Sequence, residues 1–345
     1  MSSTQSEVPR GAASQRDQES GRARSQNLQR WARNAPILQV ATAIALFLAA
    51  VLTIPGFFNK SSIYTTIILA SFLGLAAAGE TLVILIGAID LSVPALISGA
   101  NLVSTDLAGK GWPFGLVIVF VLVAAAIVGV INGVVTHRFR APPLIVTLAT
   151  GAVVTGATLG WTRGGQVSGS PPAWLTAFSS PIGRVLGIGI PPIIVLWVAV
   201  AVLVGVVLHL TASGRRLYAT GANEQAAVLA GVKTSRIWVG AYTFSAVGSA
   251  VVGIVLVGFT GQGEAGVGDP YLFLALAAVL VGGTSLVGAR GDYWRTVLGA
   301  LIVTLISTLL IGHGAGEALQ EILTGLLILV FVGLYGREQR VRDRV

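Results

Sequence analysis

An all-helical membrane protein of about ten transmembrane spans is the fold this sequence predicts, and three observations predict it. Of its 345 residues 54% are hydrophobic and only 10% charged, with a mean hydropathy of +0.83, whereas soluble domains are about 45–50% apolar and about 25% charged. Long tracts, 36–54 and 193–208 among them, carry no charged side chain, as a helix crossing the apolar core of a bilayer requires. Glycine is abundant, at 44 residues, which in such a chain signals close helix packing or broken helices.

Residues 1–34 are rich in Ser, Gln and Arg, with almost no apolar content before Trp31, so they are expected to form a disordered cytoplasmic tail. A cleaved signal peptide would place its apolar region nearer the N-terminus. The membrane domain then occupies 35–336, with apolar runs beginning near residues 36, 63, 91, 114, 143, 191, 237, 271, 296 and 318. Residues 337–345 form a C-terminal cytoplasmic tail. Ten spans return the chain to its starting side, which then carries 18 of the 22 Lys and Arg residues. Lys60, Lys110, Arg163 and Arg184 fall opposite. The positive-inside rule makes the basic side cytoplasmic and both termini with it, so the net charge of +8 reports topology rather than nucleic-acid binding.

Two connections are long enough to hold structure of their own. The outer one, 162–190, mixes Gly and Pro with Trp174 and Phe178 and is read as a short re-entrant or surface helix. The inner one, 211–236, contains a helix-sized piece, 223–230, between Gly221 and Gly231. A faint internal similarity links VILIGAIDLSVPA (83–95) with VLVGGTSLVGARG (279–291), each at the inner end of a span, as in transporters built from repeats.

Enzyme signatures are absent. There is no cysteine for a disulfide, a metal or a nucleophile. His137, His209 and His313 lack metal-ligand spacing and fall at span edges, where anchoring is the simplest role. Among three lysines the only Gly-Lys pair, Gly109-Lys110, precedes Gly111 rather than Ser or Thr, so no phosphate loop is present. No catalytic residue, metal or cofactor is expected. Glu80 lies inside the second span, where an unpaired charge costs at least ~2.5–3.5 kcal/mol, so it should face the protein interior. It either lines a polar path or fixes helix packing. Asp90 and Ser92, followed by Pro94, are placed to cap a new helix. Gly129 and Gly133 signal close packing, and Asn132 between them meets a neighbouring helix or a polar solute.

At 214–232 the sequence reads GRRLYATGANEQAAVLAGV, which resembles the cytoplasmic signature of permeases in ribose-type sugar ABC importers, within the branched-chain amino acid/ribose permease superfamily. The resemblance extends through GETLVILIGAIDLSV (79–93), NGVVTHRFRAPPLIVTLAT (132–150), GQVSG with Gly187 and Pro191, and LVGGTSLVGARG (280–291). The family pattern has glycine where this chain has Ala88, Pro94 and Ala289. Membership implies about ten helices in two related halves, a second permease copy or a similar subunit, an ATPase on the cytoplasmic side and a sugar-binding protein outside. It assigns Gly214, Arg215, Gly221, Asn223, Glu224, Ala226, Ala227 and Gly231 to ATPase coupling. Glu80, Asp90, Ser92, Asn132, Thr147, Gly282, Gly283, Thr284 and Ser285 are candidates for the pathway or its helix breaks.

The physical reading of 211–236 agrees. Small side chains at Ala226, Ala227 and Ala230 suit a surface that a partner approaches closely, while Arg215, Arg216, Lys233 and Arg236 suit phospholipid head groups. A monosaccharide is the expected cargo. A branched-chain amino-acid permease is the nearest rival; an ion-coupled secondary transporter, relying on Glu80 and Asp90, and a membrane enzyme are rivals of other classes.

Overall fold

The computed structural model describes residues 36–165, 167–185 and 189–342; the tail 1–34, Gln166 of the GQVSG block and Gly187 lie outside the described residues. Thirteen α-helices are described: α1 (Ile37–Thr53), α2 (Lys60–Leu85), α3 (Val93–Gly109), α4 (Phe114–Phe139), α5 (Pro143–Trp161), α6 (Ala173–Ser179), α7 (Pro192–Leu210), α8 (Ala212–Ala222), α9 (Glu224–Leu229), α10 (Thr234–Thr260), α11 (Asp269–Val281), α12 (Tyr293–Gly312) and α13 (Glu317–Arg342). Ten of them begin within three residues of a predicted span. The other three, α6, α8 and α9, fall in the two long connections.

Six helices, α2, α4, α5, α7, α10 and α12, are long and apolar enough to cross a membrane, and α1, α11 and the first part of α13 are shorter apolar helices. Together with α3 they make a multi-pass bundle. α3 and α11 are short because each adjoins an interruption, at 86–92 and 282–292 respectively. Non-helical backbone at membrane depth is tolerated where protein buries it. α13 continues through the expected tail boundary at 336/337 to Arg342, because Arg, Glu and Gln there propagate a helix well.

α2 is the central element: 89% of its most apolar stretch is buried inside the protein, against 22% for α4 and α5. It packs on α7, α10, α11 and α12, and its run of Gly74, Ala76, Ala77, Ala78 and Gly79 keeps backbones close, as dispersion-driven helix association in lipid demands. α4 divides cleanly between two environments. Leu116, Val119, Val123, Ile127, Ile131 and Val134 form an exposed stripe at three-to-four spacing, while Val117, Val121, Ala125, Gly129 and Gly133 are buried.

The buried stripe of α4 meets α10, and the two glycines mark the closest approach. A Cβ on Gly129 would stand 2.6 Å from Thr243 Cα, and one on Gly133 2.5 Å from Val239 Cα, so neither position accepts a side chain without moving backbone. Gly133→Val should therefore lower the melting temperature of the purified protein, by about 1–3 kcal/mol of overpacking. Gly156→Val, on an exposed face of α5 with nothing within 4 Å, should leave it nearly unchanged; equal effects would contradict the close α4–α10 packing.

Candidate functional site

The interruption after α2 gathers most of the polar candidates. Gly87, in the left-handed region at φ 83°, closes α2: its N–H donates to Ile84 O at 2.9 Å and Ala88 N–H to Val83 O at 3.1 Å. Such a cap returns two of the carbonyls that a helix end leaves open. Beyond it the chain relies on side chains. Asp90 N–H donates to Glu80 Oε1 at 3.3 Å, and Leu91 N–H to Thr147 Oγ1 at 3.1 Å. Ser92 donates to Asp90 Oδ1 from both its N–H and its hydroxyl. The Ser92 hydroxyl also accepts from Asn132 Nδ2 at 3.1 Å, and Asn132 Oδ1 accepts from the Thr150 hydroxyl at 2.7 Å.

Glu80, Asp90, Ser92, Asn132 and Thr147 thus form one connected cluster, each at most 2% exposed. α2, the 86–92 interruption, α4 and α5 supply it. The Lys110–Asp106 ion pair and the His137–Glu224 and His209–Asp292 contacts lie elsewhere. Asp90 Oδ2 and the buried hydroxyls of Ser245 and Tyr242, on the facing side of α10, make no well-formed hydrogen bond with a described residue, although Ser245 lies close enough to Asp90, and Thr136 to Tyr242, to interact.

The second interruption repeats the first. Gly283, at φ 90°, closes α11 with its N–H on Leu280 O at 2.8 Å and Thr284 N–H on Val279 O at 3.1 Å. Gly87 and Gly283 occupy matching places in the two similar segments 83–95 and 279–291, so the similarity corresponds to one capping geometry used twice. Gly282, Gly283, Thr284 and Ser285 do not join the polar cluster; Ser285 N–H instead closes a small loop on Arg290 O at 2.8 Å. The two breaks touch, with Ala289 N–H donating to Leu85 O at 2.9 Å. Ala289 stands at φ 57°, a left-handed conformation that glycine adopts more readily than alanine.

α8, on which α9 is seated, presses against that junction. Gly221 at the end of α8 has no room for a Cβ, which would collide with Leu85 O and stand 3.0 Å from Ala289 N. Tyr218 donates to Gly291 O at 2.9 Å. Burial, with Asp292 nearby, pushes its hydroxyl up to about 12, so it remains a donor through the physiological range. Gly214 packs on the last carbonyls of α7. Asn223 caps α9 by accepting from Ala226 N–H at 2.9 Å, and Gly231, at φ 80°, ends it. Glu224 Oε1 accepts from Trp238 Nε1 at 3.2 Å and pairs with His137 Nε2 at 3.2 Å. Arg215 is exposed.

Three expectations are corrected by this geometry. Ala227 is not on the outer surface of its helix but buried at 4%, facing the bundle, whereas Ala226 and Ala230 are exposed. A six-residue helix seated on α8 and α10 must bury one face. Asp90 and Ser92 do not cap α3: Ser92 makes no side-chain cap bond because its hydroxyl is held by Asp90 and Asn132. The histidines do more than anchor, since His137 and His209 pair with Glu224 and Asp292 across the fold. Sequence reasoning missed Thr150, Tyr242 and Ser245. The last two, with Ser249, recur at three-to-four spacing within an apolar span, a pattern that marks one polar helix face.

Glu80→Gln retains an acceptor for Asp90 N–H, so it should keep wild-type thermal stability. Glu80→Leu leaves that buried donor unpaired and should cost about 1–3 kcal/mol, read as a lower melting temperature in detergent. A Leu variant as stable as the wild type would show that Glu80 does not hold the break.

A family described as "Branched-chain amino acid transport system / permease component" matches residues 62–332. Among curated relatives, the ribose import permease protein of Bacillus subtilis is 34% identical over 278 residues, covering 81% of this chain and 85% of the relative. That of Haemophilus influenzae is 32% identical over 294 residues, 84% of this chain and 90% of the relative. The fructose import permease protein of Rhizobium meliloti is 31% identical over 315 residues, 90% of this chain and 88% of the relative. No solved structure matches the chain. With a multi-pass bundle and a family match over most of its length, the chain belongs to the family of membrane permease components of branched-chain amino acid-type transport systems.

Proposed function

We propose that this chain is the permease subunit of an ABC importer that passes a monosaccharide across the cell membrane, paired with a second copy or a similar subunit. A binding protein delivers the sugar outside, and an ATPase acts on α8 and α9 inside. The cargo assignment rests on relatives named for ribose and fructose import; the family description is broader and names branched-chain amino acids. The end bearing α8 and α9 is cytoplasmic in this reading, from the 18-of-22 partition of basic residues. Residues 35–336 form the permease domain, and 1–34 and 337–345 are cytoplasmic tails.

The observation that carries the coupling assignment is the placement of Gly221. One short helix presses on the carbonyl that ends α2 and, through Ala289, on the loop that follows α11. A push on α8 and α9 therefore reaches both helix breaks at once. Docking falls to the outer side of α9, where Leu229 is 90% and Val228 53% exposed in a segment otherwise facing water. In this reading Glu80, Asp90, Ser92, Asn132 and Thr147 line the inner limit of the pathway, and the breaks give it the freedom to open by rigid-body movement of helices.

Leu229→Arg removes the apolar anchor and touches no buried span. In the importer reconstituted with its ATPase and binding protein, this variant should reach the membrane and bind the loaded binding protein. ATPase co-purification and ATP-driven uptake should both fall, by roughly tenfold or more as for a lost hot spot. Normal ATPase association with normal uptake would remove α9 from coupling. In the wild-type assay labelled ribose or fructose should accumulate and leucine should not; the reverse would assign a branched-chain amino acid as cargo.

A further inference from the structure

Beside α9 lies an open groove of about 860 Å³, whose walls are α9 with the start of α10 on one side and the α4–α5 connection on the other. The connection is short and stiff: Arg140 ends α4 in the left-handed region at φ 51°, and Pro142 and Pro143 start α5. Arg138, on the last turn of α4, and Arg140 line the groove and are exposed. Neither forms an ion pair with a described residue. The one acidic side chain in the lining, Glu224, is already engaged by His137 and Trp238. Val228 and Leu229 add an apolar side to the same groove. It is thus cationic on one wall and apolar on the other, with two arginines against the single carboxylate of Glu224.

We infer that the α4–α5 connection is a second docking element for the ATPase subunit, and that this groove receives an acidic ATPase segment. Its carboxylates meet Arg138 and Arg140 while an apolar side chain packs on Val228 and Leu229. The inference rests on the coupling role of α9 and extends it to a part of the chain that the 214–232 signature does not include. Two features select a protein segment over phospholipid head groups: the apolar wall belongs to α9 rather than to a span, and the groove is continuous with the surface proposed to bind the ATPase. Arg is the side chain suited to paired recognition of carboxylates, and complementary charge acts chiefly on partner choice and association rate.

The test is co-purification of the ATPase with full-length permease in neutral detergent, comparing wild type, Arg138→Glu/Arg140→Glu, Arg138→Gln/Arg140→Gln and Leu229→Arg. Gel filtration and melting temperature establish that each variant is folded. ATPase recovery at about 50 mM salt should fall roughly tenfold for the Glu pair and less for the Gln pair, and wild-type recovery should weaken toward about 500 mM salt as exposed charges are screened. The Gln pair should lose most of that salt dependence. Wild-type recovery by both arginine variants, with loss in Leu229→Arg, would overturn the groove and leave α9 as the dock. Retention by Leu229→Arg as well would overturn both. A defect in the arginine variants that appears only in anionic liposomes, never in neutral detergent, would assign the two side chains to lipid and refute the inference.

Discussion

A helix that stops inside a membrane protein leaves backbone groups open, and with little water at hand the protein must supply their partners. The stretch between Leu85 and Val93 poses that demand most sharply. Two of its groups are met locally, by the glycine-closed end of α2. Three more are met by residues brought in by the fold: Asp90 N–H by Glu80, Leu91 N–H by Thr147 and Leu85 O by Ala289. An unmet group of this kind costs several kcal/mol in an apolar medium. Residues drawn from α2, α5 and the loop after α11 are therefore fixed in place by one interruption in one helix.

This requirement explains why charged and polar residues sit at the centre of so apolar a chain. Glu80 and Asp90 first of all satisfy the break, and Asn132 and Thr150 complete the chain of hydrogen bonds that holds the start of α3. The pathway role proposed for these residues is compatible with this one, because Asp90 Oδ2 and the hydroxyls of Ser245 and Tyr242 stay polar and make no well-formed hydrogen bond with a described residue. The same economy appears at α8, where Gly221 allows a backbone-to-backbone approach that no other residue permits. A rigid contact at that point transmits displacement in a way that a cushion of side chains would not.

The helices were largely legible in the sequence because apolar tracts punctuated by Gly, Pro and charge are the strongest signal a membrane chain carries. Ten starts could be placed to within three residues on that basis. The polar candidates were legible one at a time, from the cost of Glu80 in lipid or the family blocks around Thr147. Their union in one cluster was not, since it depends on which helices become neighbours. Ala227 shows the limit most plainly: six residues are too few for a hydrophobic period to reveal which face is inward, so small size alone suggested an outer surface. His209 and Asp292 are 83 positions apart in sequence and meet only because α7 and α12 pack together. The match between 83–95 and 279–291 was readable as letters; its meaning, a shared cap at Gly87 and Gly283, required the backbone.

The central claim is that α8 moves the two helix breaks through direct backbone contact at Gly221. Its most direct test is Gly221→Ala in the complete importer, reconstituted in proteoliposomes, with ATP hydrolysis and sugar uptake measured on the same preparation. The added methyl group forces α8 away from Leu85 and Ala289 while leaving the outer face of α9 unchanged. The account predicts that the ATPase still co-purifies and hydrolyses ATP but that uptake per ATP collapses. Uptake per ATP equal to that of the wild type, in a variant carrying a full complement of ATPase, would contradict it.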